Sequence, residues 1–176
     1  MIPLRPTRQL AAGLLLVLAA PSVRAAHEWF VPEPPYLTLG AGIAEIFDRN
    51  LEGYGAIEYR PAARFFHLGP WFFFGSGKGG AVYAAGGVLF NLHLGRGWFL
   101  TPSFGPGYYD DGGHFDLGFE LEFRTGIELS RQFRNRHRLA VGLAHLSNGS
   151  LSDRNPGTET LHICWSIPLG QAPVVP

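Results

Sequence analysis

Apolar and polar residues alternate along the segment from Leu117 to Leu129. The positions of one set are Leu117, Phe119, Leu121, Phe123, Thr125, Ile127 and Leu129. The positions between them are Gly118, Glu120, Glu122, Arg124, Gly126 and Glu128. A period of two places these sets on opposite faces of a β-strand. Strands of soluble proteins usually run about 5–6 residues, whereas a membrane-crossing strand needs ~9–11 residues. The segment therefore predicts a transmembrane β-strand.

Other segments show the same alternation less regularly, and turn residues separate them. They cover residues 35–47, 53–65, 68–76, 80–93, 97–109, 137–147 and 158–169. Eight strands suit the smallest outer-membrane barrels. A sheet in lipid must close, because an unpaired edge would leave backbone groups unsatisfied. The sequence thus predicts an all-β fold, an eight-stranded antiparallel transmembrane outer-membrane β-barrel. The alternative is a soluble periplasmic sandwich, which would fold in water without detergent.

The alternation also predicts what fills the barrel and what surrounds it. Charged side chains on the polar face should pair in the lumen, because side chains fill an eight-stranded barrel. The expected inward set is Glu58, Arg60, Glu120, Glu122, Arg124 and Glu128. Trp71 and Trp98 are expected in the aromatic girdles at the membrane interfaces. Cys164 is the single cysteine, so no intramolecular disulfide is possible, and we expect it to pack as a small side chain.

The N-terminus has the organisation of a secretory signal peptide. Arg5 and Arg8 precede an apolar run over residues 10–20, and the small residues Ala25 and Ala26 follow. This run is shorter than the ~20 residues that a transmembrane helix needs. We expect residues 1–25 to be a cleaved leader and residues 26–176 to form the barrel in the bacterial outer membrane. Basic and acidic residues number 14 each, so charge provides no argument for a nucleic-acid partner.

Three residues near the C-terminus have the chemistry of a serine hydrolase. His145 and Ser147 are two residues apart, so on a strand they share one face. That face also carries Leu139, Val141 and Leu143. Glu159 begins the next strand, and its parity places it on the face of Leu161 and Ile163. A histidine can take the proton of a serine nucleophile, and a carboxylate can orient that histidine. The pattern predicts a lipid-facing catalytic site at the outer leaflet.

Ester cleavage also needs hydrogen-bond donors for the oxyanion that forms on the carbonyl. The candidates are Asn155 and the backbone N–H groups around Gly149 and Ser150. Both Asn148-Gly149 and Asn155-Pro156-Gly157 are also ordinary turn sequences. A polar group that faces lipid is costly and is a functional candidate for that reason. Mutual hydrogen bonds within a triad would lower this cost.

One motif resembles the signature of a known family. It consists of His145-Leu146-Ser147-Asn148-Gly149-Ser150 followed by Asn155-Pro156-Gly157-Thr158-Glu159. The segment resembles PagL-type lipid A 3-O-deacylases, which are eight-stranded outer-membrane barrels with a Ser-His-Glu site on the outside. The resemblance implies Ser147 as nucleophile, His145 as base and Glu159 as orienting acid. It also implies that Asn148 supports the site and that Asn155 belongs to the oxyanion hole.

The implied reaction is hydrolysis of the 3-O-linked hydroxyacyl chain of lipid A through an acyl-enzyme. Lipid A of the outer leaflet is the expected partner, and no cofactor or metal is expected. The alternatives are a non-enzymatic structural or adhesive barrel and an outer-membrane phospholipase. Outer-membrane phospholipases typically have larger barrels, and this chain is too short for about twelve strands of ~10 residues with turns. The oligomeric state stays open, with a homodimer as one alternative.

Overall fold

A computed structural model describes residues 33–47, 51–113 and 115–171. The expected leader lies outside these residues. The strands are β1 (Tyr36–Ala44), β2 (Glu52–Arg60), β3 (Gly69–Gly77), β4 (Val82–Leu89), β5 (Leu92–Gly95), β6 (Trp98–Asp110), β7 (Leu121–Gln132), β8 (Arg138–Ser147) and β9 (Thr158–Pro168). Within the described ranges, no helix is long and apolar enough to span a membrane.

The strands form one closed antiparallel sheet. Each strand pairs with its neighbours in the order β4-β3-β2-β1-β9-β8-β7-β6-β5, and β4 also pairs with β6. The strands β4 and β5 are consecutive, and both pair with β6, so together they occupy one position in the wall. The interruption falls at Phe90 and Asn91, where the Phe90 N–H donates to the Pro102 carbonyl at 3.2 Å. The wall therefore has eight positions, and the predicted eight-stranded barrel is confirmed.

Outward and inward residues alternate along the strands as expected. In β8 the exposed residues Leu139, Val141 and Leu143 alternate with the buried Ala140 and Ala144. On this strand the inward Ala140, Gly142 and Ala144 are small, which suits the narrow lumen of a small barrel. Most outward positions carry apolar side chains, which suits contact with acyl chains.

A charged network fills the lumen. The guanidinium of Arg60 donates to Glu128 through Nη2 at 2.8 Å and Nη1 at 3.2 Å, and its Nε donates to Glu58. Glu122 and Arg124 are also buried inward, but the expected pairing is wrong for Glu122, because neither of its carboxylate oxygens has a hydrogen-bond partner among the described residues. Of the predicted inward set, only Glu120 is wrongly placed. It is exposed and precedes β7, which begins at Leu121 rather than near Leu117, because Gly118 has a positive φ of 88° and bends the chain before the strand.

The prediction for Trp71 was also wrong. Its side chain is 1% exposed and lies inside the barrel, where its indole N–H donates to the Val88 carbonyl at 3.0 Å. The Arg124 guanidinium lies 5.5 Å from the Trp71 ring centre, a cation–π contact. Consecutive aromatic residues at 71–74 do not alternate with polar ones, so their sequence does not reveal which of them point inward. Trp98 faces outward, as expected.

Two strand boundaries also differ from the sequence-based ones. Within the predicted segment 53–65, the strand ends at Arg60, because Pro61 has no N–H to continue the ladder. The segment 80–93 is divided into β4 and β5. The connections 78–81 and 148–157 lie at one end of the barrel, together with residues 111–113 and 115–120, the end of β1 and the start of β2. The turns 61–68, 96–97 and 133–137 lie at the other end, where β1 begins and β9 ends.

Candidate active site

The β8–β9 ladder brings His145 and Glu159 together. The two residues are direct register partners, and their side chains point out of the barrel. The Nδ1 atom of His145 lies 3.1 Å from Oε1 of Glu159, within hydrogen-bond distance. Their side chains are 47% and 36% exposed respectively. With Nδ1 held by the carboxylate, Nε2 is the ring nitrogen left to exchange a proton with another group.

Ser147 is the last residue of β8, two residues beyond His145 on the same outward face. It is half-buried, and its register partner on β7 is Phe123. Among the residues that the structure describes, no hydrogen bond joins the Ser147 hydroxyl to His145 or to any other group. Catalytic hydrogen bonds are often long before substrate binds. The strand thus places the serine beside the histidine, with its hydroxyl free for a reacting ester.

Asn148 follows Ser147 and organises the loop 148–157 from a fully buried position, with 0% exposure. Its Nδ2 donates to the carbonyls of Arg154 at 2.8 Å and of Leu117 at 3.2 Å. Its Oδ1 accepts a hydrogen bond from the Ser150 N–H at 3.0 Å. All these bonds connect backbone groups, so Asn148 shapes the loop rather than presenting its amide to a substrate.

The side chain of Asn155 bonds to the backbone of the first residue in the same loop. Its Oδ1 accepts the Asn148 N–H at 3.0 Å, which orients the amide. Within the described part of the chain, its Nδ2 and the Gly149 N–H make no hydrogen bond. The Ser150 N–H, an oxyanion candidate from the sequence, is instead used by Asn148. Of the oxyanion donors predicted from the sequence, the Asn155 Nδ2 and the Gly149 N–H therefore remain available.

Gly157 lies against the catalytic histidine candidate, a contact that the sequence did not reveal. A Cβ atom at this position would lie 3.0 Å from Cε1 and 3.6 Å from Nε2 of His145. The backbone of Gly157 also has a positive φ of 67°. Its place in an Asn-Pro-Gly turn was the available signal, but such a turn does not show what the glycine contacts. Glycine here leaves room for the imidazole ring.

A second loop supports the first. The Asp116 carboxylate accepts a hydrogen bond from the Gly118 N–H at 2.7 Å and pairs with the Arg154 guanidinium at 2.6 Å. The Gly118 hydrogen bond, followed by Arg154, lowers the pKa of Asp116 from its usual value. A Cβ atom on Gly118 would collide with the Arg154 carbonyl. Together with Asn148, these contacts connect residues 115–120 to the loop after Ser147.

The chain also matches known proteins. The family model described as Lipid A 3-O-deacylase (PagL) matches residues 60–168, a range that includes every candidate site residue. The chain belongs to the PagL lipid A 3-O-deacylase family. PagL-family membership makes it a hydrolase, a lipid A deacylase of the outer membrane. No curated protein sequence matches the chain significantly.

Solved structures agree on the fold. The crystal structure of the outer membrane enzyme PagL is 18% identical, with a TM-score of 0.60, and the match covers 76% of this chain and 99% of that one. Neisserial surface protein A is 12% identical, with a TM-score of 0.56 and coverage of 77% and 97%. A designed transmembrane β-barrel is 10% identical, with a TM-score of 0.56 and coverage of 79% and 99%. At these identities the three likenesses concern the barrel architecture alone.

Two features inside this PagL-family barrel lie apart from His145 and Ser147. A lumenal cavity of about 90 Å³ lies near the loop end of the barrel. Where β8 and β9 form its wall, the cavity is lined by Leu146, Thr158 and Thr160, which alternate along the chain with the outward-facing His145, Ser147 and Glu159. Deeper in the lumen, Glu128, His162 and Cys164 bring potential metal-ligand atoms within 4.8 Å of one another. The Glu128 carboxylate is already bound by Arg60, and Cys164 donates to it at 3.5 Å. Internal hydrogen bonds therefore account for Glu128 and Cys164, whereas Nδ1 of His162 is buried without a hydrogen-bond partner among the described residues.

Proposed function

We propose that this PagL-family chain removes the 3-O-linked hydroxyacyl chain of lipid A with Ser147 as nucleophile, His145 as base and Glu159 as orienting acid. The observation that carries the proposal is the 3.1 Å contact between His145 and Glu159 on the lipid-facing side of the wall. Ionisable side chains are costly in hydrocarbon. Those found there usually pair with each other and belong to functional sites. Placing Ser147 beside this pair completes the groups that acyl transfer requires.

The first half of the reaction forms an acyl-enzyme. The Ser147 hydroxyl attacks the ester carbonyl carbon as its proton passes to Nε2 of His145. The resulting oxyanion accepts hydrogen bonds from the Asn155 Nδ2 and the Gly149 N–H, and Glu159 stabilises the imidazolium. When the intermediate collapses, the bond to the sugar oxygen breaks, and His145 returns its proton to that oxygen. The products are acyl-Ser147 and lipid A with a free 3-hydroxyl group.

The second half of the reaction releases the fatty acid. Water attacks the acyl-Ser147 carbonyl and gives a proton to His145, and the same donors hold the new oxyanion. Collapse breaks the bond to the serine oxygen, which regains the proton, and a hydroxy fatty acid leaves. The exposed residues Val141, Leu143, Leu161 and Ile163 lie on the same outer wall, next to the site. We assign them to contact with acyl chains of the substrate.

Lipid A mass spectrometry with matched variants tests this mechanism. We expect cells that express the unaltered chain to contain lipid A lacking one hydroxyacyl group, and cells that express Ser147→Ala to retain it. Ser76→Ala is the control, because Ser76 is an exposed serine at the loop end of β3. Equal lipid A profiles for the unaltered chain and Ser147→Ala, with both barrels folded, would remove Ser147 from the mechanism.

Covalent labelling tests the nucleophile separately from its effect on lipid A. A lipophilic phosphonate ester should phosphonylate one serine, and peptide mass spectrometry should place the added mass on Ser147. Glu159→Gln should slow the labelling, since the imidazolium formed during attack loses its anionic partner. Labelling of a different serine, or equal labelling of the Ser147→Ala protein, would contradict the assignment.

A further inference from the structure

The two ends of the barrel carry opposite charge. At the loop end the described acidic residues outside the lumen are Asp110, Asp111, Asp116, Glu120, Asp153 and Glu159, with Lys78 and Arg154 as cations. The opposite end carries Arg64, Arg96, Arg131, Arg134 and Arg136 in its turns and adjoining strand ends. Among described residues outside the strands, the one carboxylate at that end is Glu33. The second end is therefore strongly basic.

Glu33 does not neutralise this charge at the surface. Its side chain is buried, with 3% exposure of the residue, and it bonds to Arg138, Asn91 and Arg64. Arg138 is itself 2% exposed and lies over the Phe99 ring at 3.9 Å. Of the arginines at this end outside the lumen, the carboxylate thus pairs with Arg64 alone. No described carboxylate pairs with Arg131, Arg134 or Arg136.

Basic and aromatic side chains are concentrated at this end, in a group that we call the basic rim. Its members are Arg96, Trp98, Arg131, Phe133, Arg134, Arg136, His137 and Trp165. Trp98 and Arg131 are register partners, and the guanidinium lies 5.7 Å from the indole centre. Trp165 donates to His137 at 3.0 Å and packs 5.5 Å from Phe133. The members extend from the β5–β6 turn, past the end of β7 and the β7–β8 turn, to β9.

The basic rim faces the bilayer as well as the water. Arg131 has the parity of Ile127 and Leu129, which point outward on β7. Trp98 and Trp165 are 43% and 39% exposed on the same outer surface. Indole rings favour the depth of lipid headgroups, and cations beside them lie where anionic headgroups are found. A zwitterionic headgroup has the same phosphate but also carries a cation. The arginines should therefore attract it less than they attract an anionic headgroup.

We propose that the basic rim binds anionic phospholipid headgroups of the periplasmic leaflet. The assignment to that leaflet rests on the proposed function, which places Ser147 and His145 at the outer leaflet and hence the opposite end in the periplasmic one. The phosphate lies against Arg131, Arg134 and Arg136, and the acyl chains lie along the wall below Trp98 and Trp165. The turn that holds Arg134 and Arg136 leads directly into β8, and Trp165 lies on β9, so this binding holds the two strands that carry the active-site candidates at a defined depth.

Fluorescence quenching in nanodiscs tests the binding. The barrel carries Ser147→Ala, so that turnover plays no part, and the discs contain phosphatidylcholine with a small fraction of brominated phosphatidylglycerol or brominated phosphatidylcholine. Lipid bound at the basic rim places bromine beside Trp98 and Trp165. We expect enrichment of the anionic lipid by a factor on the order of five for each basic side chain engaged, and a decrease with added salt.

Matched variants test whether the excess quenching by the anionic lipid comes from the basic rim. The triple variant Arg131→Gln, Arg134→Gln, Arg136→Gln should abolish the excess quenching, whereas Lys78→Gln at the loop end should retain it. The single variant Arg134→Gln, on an exposed turn, should reduce the excess if the triple variant does not fold. Equal quenching by both brominated lipids in the parent protein, or an equal loss in Lys78→Gln, would overturn the proposal. Deacylation is measured separately, so a failed catalytic mechanism leaves this binding result interpretable.

Discussion

Gly157 and His145 touch across the junction of the loop 148–157 with β9. A Cβ atom on Gly157 would be 3.0 Å from Cε1 of His145, tighter than nine in ten real Cβ contacts. The ring that carries the proposed base is therefore held between the Glu159 carboxylate and a backbone without a side chain. A side chain at position 157 would crowd the imidazole in this position.

Gly157→Ala should lower the deacylation rate while the barrel still folds. The added methyl group displaces the imidazole from Ser147, and L-alanine is also strained at a φ of 67°. Small displacements of a catalytic group cost up to about 100-fold in rate. Gly113→Ala is the control, because Gly113 also has a positive φ, of 86°, but a Cβ atom there meets nothing within 4 Å. Equal rates for both variants would show that the contact with His145 does not matter.

Glu159→Gln should reduce kcat more than it changes KM. The amide can still bond to Nδ1 of His145, but the negative charge that stabilises the imidazolium is lost. The loss is expected to be on the order of 100- to 10,000-fold, within the range seen when acid partners of serine hydrolases are neutralised. Purified lipid A in detergent, followed by release of hydroxy fatty acid, provides the measurement. A variant as fast as the parent chain would remove Glu159 from the catalytic group.

Asn148→Ala should loosen the loop that follows Ser147. The substitution leaves the Leu117 and Arg154 carbonyls and the Ser150 N–H without partners. A buried unpaired group typically costs about 1–3 kcal/mol. Amide exchange at Ser150 and Leu151 should accelerate, and deacylation should fall, with the barrel retained. Asn135→Ala, in an exposed turn at the other end, should change neither quantity.

Asp116→Asn should release Arg154 and make the chain more easily cleaved after that residue by trypsin. The carboxylate accepts the Gly118 N–H and pairs with Arg154, which lower its pKa. A lowered pKa means that these contacts persist above the usual value of 3.8 and weaken as the pH falls through the pKa of the folded state. Asp111→Asn is the control, since Asp111 makes the same turn contact, to the Gly113 N–H at 2.8 Å, without an arginine partner. Equal cleavage rates in the two variants would contradict the proposed connection between the loops.

Glu128→Ala should destabilise the barrel without removing a catalytic group. It removes the bidentate ion pair between Arg60 and Glu128 and leaves the buried Arg60 guanidinium with Glu58 as its remaining carboxylate partner. Breaking a buried ion pair in this way costs about 3–5 kcal/mol. Urea unfolding in lipid vesicles provides the measurement. Glu120→Ala should shift the free energy of unfolding by less than about 0.5 kcal/mol, because Glu120 is exposed.

The barrel and the outward direction of His145, Ser147 and Glu159 were predictable from the sequence. A period of two is a local property of the extended chain, and one face must be apolar in lipid. The same rule failed at Glu120, where Gly118 bends the chain before β7 begins. It also failed at Trp71, where neighbouring positions are all aromatic and parity carries no information.

The sequence alone determined that this chain closes into a lipid-facing barrel, and the spacing of its motif indicated which three residues share the outer wall. The tertiary structure decided what holds them. The 3.1 Å approach of His145 to Glu159 requires the β8–β9 register, and the bonds of Asn148 reach a carbonyl 31 positions away in the chain. Such contacts depend on where loops distant in sequence meet after the sheet closes. Alternation along a strand is local and carries no information about that meeting.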